Sequence, residues 1–218
     1  MTPSPPPSPD VPGGIARTLE EDIIFGRLAP GSRLVEDPLM ARFEATRHAI
    51  RQALVELERG GVVVREKNKG ATVRRLAPDE VERIYEVREL LVRQAVLRIP
   101  VPAPAALLDE LAQLHDAFGK HRRARRWRAV HETNDRFHLA LFGGCGNGVL
   151  VDMIRHTMNL SLPVRAGGTT DAERTQASER EHALMIELLR GSDRWALAQL
   201  CVDHLQPARL RYLASYQR

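Results

Sequence analysis

Three histidines and one arginine-bearing helix are the residues whose types and spacing could do chemistry. His138 stands in TNDRFHLAL, four positions after Asn134 and so on the same helix face. His182 stands in SEREHALMIELL, beside Ala183, Met185, Ile186 and Leu189 at helical spacing, and His204 in CVDHLQPARL. One histidine beside an apolar stripe is usually a core residue. Three of them on three separate helices can meet inside a bundle and offer imidazole nitrogens to a metal ion. The chain has no HExxH pair and no carboxylate evidently placed as a general base. A metal-dependent enzyme using His138, His182 and His204 is therefore the alternative reading and not the leading one.

The second set lies in ATRHAIRQAL, residues 45 to 54. At about 100° per residue, Ile50, Ala53, Leu54 and Leu57 share one arc of a helix, while His48, Arg51 and Gln52 share another. Such a helix docks by one side and offers cations by the other. Between Ala41 and Arg75 nine Lys and Arg face four Glu, a net of +5. The whole chain carries +4, so everything outside this segment sums to −1. A localised cationic patch on a nearly neutral chain is the electrostatic footprint of a polyanion site.

These residues need elements to hold them. The first 13 residues are rich in Pro and Ser and read as a disordered tail. A helix is expected over 14–28. Asp37 as N-cap with Pro38 at the first helical position opens a second, running to Phe43. Thr46 caps the third, which stops at Gly60-Gly61. VVVRE, KNKG and ATVRR then read as a β-hairpin. Three helices followed by a hairpin, over 14–76, is the order of a winged helix-turn-helix. In that architecture Thr46, Arg47, His48 and Arg51 face the major groove of double-stranded DNA. Arg47 and Arg51 can bind guanine or phosphate with a planar fork of donors. Lys67 and Lys69 add charge at the hairpin, and Gly70 admits close backbone approach.

After the break at Ala77-Pro78-Asp79, helices are expected over 79–98, 104–118, 124–142, 147–162, 173–190 and 193–215. The fold class is mainly α: the winged helix-turn-helix and then, over 79–215, an all-helical antiparallel bundle for sensing and dimerisation. The basic run KHRRARRWR, 120 to 128, reads as a solvated helix face. GGCGNG, 143 to 148, is no phosphate loop, since it lacks the Lys-Ser/Thr ending and a preceding strand. Hydrophobic content of 43% and charged content of 28% are ordinary for a globular chain. Cys145 and Cys201 form no CxxC pair, which disfavours a thiolate zinc cluster or a disulfide scaffold. No apolar run approaches the ~20 residues that span a bilayer. MTPSPPPSPD lacks the basic start and apolar core of a secretion signal. A cytoplasmic protein with no membrane partner is expected.

The run from PGSRL through ATRHAIRQALVELERGGVVVREKNKGATVRRL resembles the DNA-binding domain of GntR-family bacterial transcription regulators. The resemblance implies that Thr46, Arg47 and Arg51 face DNA, with Gly70 at the wing tip. It departs at Asp37, where some members carry a basic DNA contact. The helical half is similar to the FCD ligand-sensing domain of the FadR-type members, in its YEVRELL helix, its Phe-His and Gly-Asn segments and its final His pair. That resemblance implies a divalent metal ion, zinc or nickel, held by Asn134, His138, His182 and His204. Asn134 stands where relatives carry Asp, and an amide oxygen is a neutral, weaker ligand. It also implies a small carboxylate effector paired with Arg88, and a homodimer on a palindromic operator, with repression as the mode.

Overall fold

The structure is a computed structural model that describes residues 12–66, 70–166 and 168–216. Its described residues divide into two compact units, one up to Leu76 and one from Ala77 onward.

In the first unit the helix α1 (Pro12–Ile24) precedes a two-residue strand, β1 (Arg33–Leu34). The helices α2 (Glu36–Phe43) and α3 (Arg47–Arg59) follow, then the strands β2 (Val63–Glu66) and β3 (Gly70–Val73). Pro12 and Gly13, read from sequence as tail, open α1 instead. Proline costs nothing there, because the first N–H groups of a helix have no intrahelical acceptor. The antiparallel sheet has the order β1-β3-β2, with Thr72 opposite both Arg33 and Val64. The strand β1 was not expected, since two residues show no periodicity to read.

Thr46 caps α3 as its sequence suggests: its hydroxyl accepts from the Ala49 amide at 3.3 Å. Ile50, Ala53, Leu54 and Leu57 are 0–4% exposed and pack toward α1, whose Ile15 and Leu19 are fully buried. Each such Leu or Ile contributes about 1.5–3 kcal/mol by leaving water. The start of α2 differs from expectation. Val35 is its N-cap, without a side-chain hydrogen bond, and Asp37 lies inside the first turn. Pro38 is tolerated there because it still falls among the donors that lack intrahelical partners. Asp37 is thereby released from capping. Asp22, 2% exposed, ties the unit together through Arg27 Nε at 2.5 Å and Arg42 Nη1 at 2.6 Å.

The second unit contains helices and their connectors, with no strand among its described residues. It runs α4 (Pro78–Arg98), α5 (Ala105–Arg123), α6 (Trp127–Gly143), α7 (Gly148–Leu160), α8 (Leu162–Ala166), α9 (Ala172–Arg190), α10 (Arg194–Asp203) and α11 (Gln206–Ala214). Helix α5 packs on α6 and α9, while α4 packs on α7 and α10. Tyr85, Phe118, Phe137, Leu111, Leu141 and Ile154 are among the fully buried side chains at their centre. The helix expected over 193–215 is two helices. Pro207, in the first turn of α11, has no amide hydrogen and its ring would clash with the carbonyl four residues back, so the chain breaks after Asp203. The break leaves His204 as the C-cap of α10. The basic run 120–128 is likewise no single helix face. Lys120–Arg123 finish α5, Arg125 turns the corner at φ 52°, and Trp127 begins α6. No helix of the described residues is long and apolar enough to cross a membrane.

Candidate functional site

Within the helical unit the three sequence-marked histidines come together. Nε2 of His138 on α6 is 3.1 Å from Nε2 of His204 and 3.4 Å from Nε2 of His182 on α9. One ligand atom from each residue lies within 4.8 Å of the other two. Zinc–imidazole bonds of about 2.0–2.1 Å set at tetrahedral angles place neighbouring nitrogens roughly 3.3 Å apart. The two short separations match that edge, so the donor set fits a divalent ion of this size.

Packing aims the rings. His182 is fully buried, stacked on Phe137 at 4.2 Å and met edge-on by Phe118 at 5.1 Å. Burial pushes the His138 and His182 imidazolium forms well below the ordinary value of 6.5, and neighbouring cationic groups push the same way. Both are thus neutral near pH 7, which is the ligating state. Burial also lowers His204, partly offset by its hydrogen bond to Glu181. His204 Nδ1 donates to Glu181 Oε2, and Arg174 grips both oxygens of that carboxylate at 3.0 and 2.8 Å. Burial alone would raise the Glu181 carboxyl, but His204 and Arg174 outweigh it and hold it at about 2.

Asn134 lines the same cavity as His138 and His204. Its Nδ2 donates to Asp135 Oδ1 at 3.2 Å, which occupies the amide nitrogen and not the oxygen a metal would take. Asp135 does not substitute for it. That carboxylate is clamped by Arg165 at 2.7 and 3.0 Å. Burial would raise Asp135, yet Arg165 and His131 keep it well below the carboxylate range.

Arg88 opens into this cavity from α4. It is 4% exposed, its guanidinium carbon lies 5.0 Å from the Tyr85 ring centroid, and its Nη1 has no hydrogen-bond partner. The buried Tyr85 hydroxyl stands beside it and only partly offsets the desolvation that lowers the guanidinium. A buried cation with an unused donor is costly until an anion arrives. Glu82, six positions earlier on the same helix, pairs instead with Arg209.

His131, Arg165, Arg174 and Glu181 escaped the sequence reading. A signal existed for one set, since His131, Asp135 and His138 fall at i, i+4 and i+7 on α6. Arg165 on the short α8 had none.

In the first unit Arg47 and Arg51 project from the N-terminal half of α3, but they are not bare. Arg47 Nη2 donates to Asp37 Oδ1 at 2.6 Å and its Nη1 is 3.8 Å from Glu36 Oε2. Arg51 Nε donates to Glu36 Oε1 at 2.9 Å. Both side chains nonetheless keep more than half of their surface in water, 54% and 56%. Thr46 and His48 are exposed beside them. Gly70 is exposed at φ 87°, with open space where a Cβ would stand, so glycine there serves the backbone turn. Lys67 and Lys69 lie outside the described residues.

Comparison with known proteins agrees with both units. Residues 83–207 match the FCD domain family, and residues 13–73 match the bacterial regulatory proteins of the gntR family. The HTH-type transcriptional regulator YdhC of Bacillus subtilis is 26% identical over 187 residues, covering 85% of this chain and 84% of that protein. The HTH-type transcriptional repressor RspR of Escherichia coli is 23% identical over 205 residues, covering 92% and 88%. The crystal structure of a GntR-type regulator from a Rhodococcus species superposes with a TM-score of 0.73 at 24% identity, covering 94% of this chain and 98% of that one. These families and relatives are regulators and not enzymes, which removes the metal-dependent enzyme as a reading of the histidine cluster. The chain belongs to the GntR family of transcription regulators, with a helix-turn-helix DNA-binding domain followed by an FCD domain.

Proposed function

We propose that this regulator is a metal-dependent sensor of a small carboxylate. In this reading His138, His182 and His204 hold a divalent ion, zinc or nickel, with Asn134 as a weak fourth ligand. Bound there, the ion would supply open coordination positions for carboxylate oxygens. Arg88 binds the acid bidentately from the other side, satisfying its unused Nη1. Asp135 is spent on Arg165 and so does not compete for that position.

The DNA-binding half acts through Thr46, Arg47, His48 and Arg51 in the major groove. Gly70 lies at the wing tip, and Lys67 and Lys69 contribute charge near it. The protein works as a cytoplasmic homodimer on a palindromic operator, because two symmetric readers need two matching half-sites. Effector binding changes the operator affinity of the dimer, most simply by releasing a repressor. The name of the relative RspR as a repressor supports that direction.

The single observation that carries the sensor reading is one cavity lined by His138, His204 and a buried, incompletely paired Arg88, with His182 converging on the same two imidazoles. A screen tests it. Zinc-loaded protein on a fluorescent operator is titrated with small mono- and dicarboxylates, and both the anisotropy and the melting temperature are followed. At least one acid is expected to raise the melting temperature and change operator affinity. A panel in which no acid does either, with zinc bound, defeats the reading.

A further inference from the structure

Glu181 is not itself a ligand candidate. Its carboxylate reaches the far side of the His204 ring, touching Nδ1 while Nε2 lies 3.1 Å from Nε2 of His138. We infer that Glu181 is the positioning residue of the metal centre, fixing His204 with its proton on Nδ1 and its Nε2 lone pair turned to the ion. This rests on the metal reading above and adds to it a residue that is no part of the ligand set.

Two groups meet His204 Nδ1: the Glu181 carboxylate and, farther off at 3.4 Å, the donor Nη2 of Arg174. The carboxylate is the closer and can only accept, which assigns the hydrogen to Nδ1. A histidine has two ring nitrogens, and the bond made by one decides which proton form the other presents. Ligand histidines are commonly held this way, by a carboxylate that also raises the basicity of the ligating nitrogen. The carboxylate is in turn immobilised: Arg174 donates to both of its oxygens, at 3.0 and 2.8 Å, from one side of α9. Arg174, Glu181 and His204 thus form a chain that ends on the cluster. The contrast with His182 sharpens the point. Its Nδ1 is buried with no hydrogen-bond partner, and two phenylalanine rings hold it by packing. His204, at the C-cap where α10 stops, has no phenylalanine ring stacked on it among the described residues and takes the Glu181 carboxylate as a polar partner.

This site is also where such help matters. Asn134 offers an amide in place of a charged ligand, so the three imidazoles must supply most of the metal affinity. Losing the orientation of one costs more when no anionic ligand shares the load.

Two measurements on the full-length chain test the inference. In zinc-free protein, long-range nitrogen–proton NMR correlations of the imidazole rings report the tautomer of His204. The Nδ1–H form is expected in the wild type, and a mixture containing Nε2–H in Glu181→Leu. Zinc affinity is then read by competition with a chromophoric chelator. Glu181→Leu is expected to bind 10–100-fold more weakly than wild type. Glu181→Gln, which keeps a neutral acceptor oxygen, should fall between them, a ranking that a merely structural role does not produce. A wild-type His204 protonated on Nε2, or wild-type affinity in Glu181→Leu, overturns the inference while leaving the metal reading intact. A wild type that binds no zinc defeats the metal reading instead, and the tautomer of His204 still decides whether Glu181 positions the ring. Should Glu181→Leu fail to fold, Glu181→Gln and the wild-type tautomer are sufficient to decide.

Discussion

Arg47 on α3 donates to Asp37 on α2 at 2.6 Å, so a residue expected to read DNA is held by the protein's own carboxylate. The pair is solvent-exposed, and exposed pairs contribute only about 0–1 kcal/mol. A duplex can therefore displace it at small cost, and Asp37 acts as an electrostatic toll on DNA binding. Asp37→Asn is expected to raise operator affinity up to about fivefold, with the larger gain at low salt. Anisotropy titrations at several salt concentrations measure it. Affinity that drops in Asp37→Asn contradicts the competing role.

Arg51 is the stronger candidate for base contact, with its Nε on Glu36 and the rest of the guanidinium in water. Arg51→Ala should cost about 1–3 kcal/mol at the operator and much less on random DNA. Gel-shift titration on both duplexes separates the two. An equal loss on both would make Arg51 a phosphate contact.

Removing the metal has a direct readout. Protein purified without an affinity tag should carry about one divalent ion per chain by elemental analysis, after supply of zinc, by the coordination expected of such a donor set. His182→Ala should carry none. Zinc at a hundred times its dissociation constant stabilises the fold by about 2.7 kcal/mol, so chelation should lower the melting temperature of the wild type only. Equal melting curves with and without chelator would argue that the histidines are merely packed.

Arg88 sets up an opposite sign. Replacing a buried cation whose Nη1 lacks a partner by an apolar side chain of similar length relieves desolvation. Arg88→Met should hold or raise the melting temperature of the ligand-free protein while abolishing the carboxylate-induced rise. Differential scanning fluorimetry reads both. A variant that melts lower yet responds fully to the acid excludes Arg88 as the effector contact.

The pH dependence of the zinc-free protein follows from burial. His138 and His182 stay neutral in the fold below the pH at which they protonate when unfolded, near 6.5. The unfolded chain then binds more protons, so stability falls as pH drops below about 6.5, by up to about 1.4 kcal/mol per pH unit for each histidine. Asp135, depressed by Arg165, adds a second loss once the pH falls below its ordinary carboxylate range. Urea unfolding in chelator at pH 7.5, 6.5 and 5.5 should show the first loss. A flat profile across that window contradicts neutral burial.

Much of the molecule was written in local pattern. Thr46 caps α3, the stripe Ile50, Ala53, Leu54 and Leu57 is buried, and Gly60 ends the helix, because caps, periodicity and glycine conformation are properties of neighbouring residues. The histidines were legible as candidates for the same reason: each sits in an apolar helical context. Their meeting was not. His138 and His204 are 66 positions apart and touch only because α6 and α10 fold against a common core. Tertiary packing also decided the partners of the charges. Asp37 left its capping role for Arg47, Asp135 was taken by Arg165 from α8, and Glu181 by Arg174 and His204. A carboxylate's partner depends on which guanidinium arrives within about 3 Å, and no spacing along the chain encodes that distance across helices.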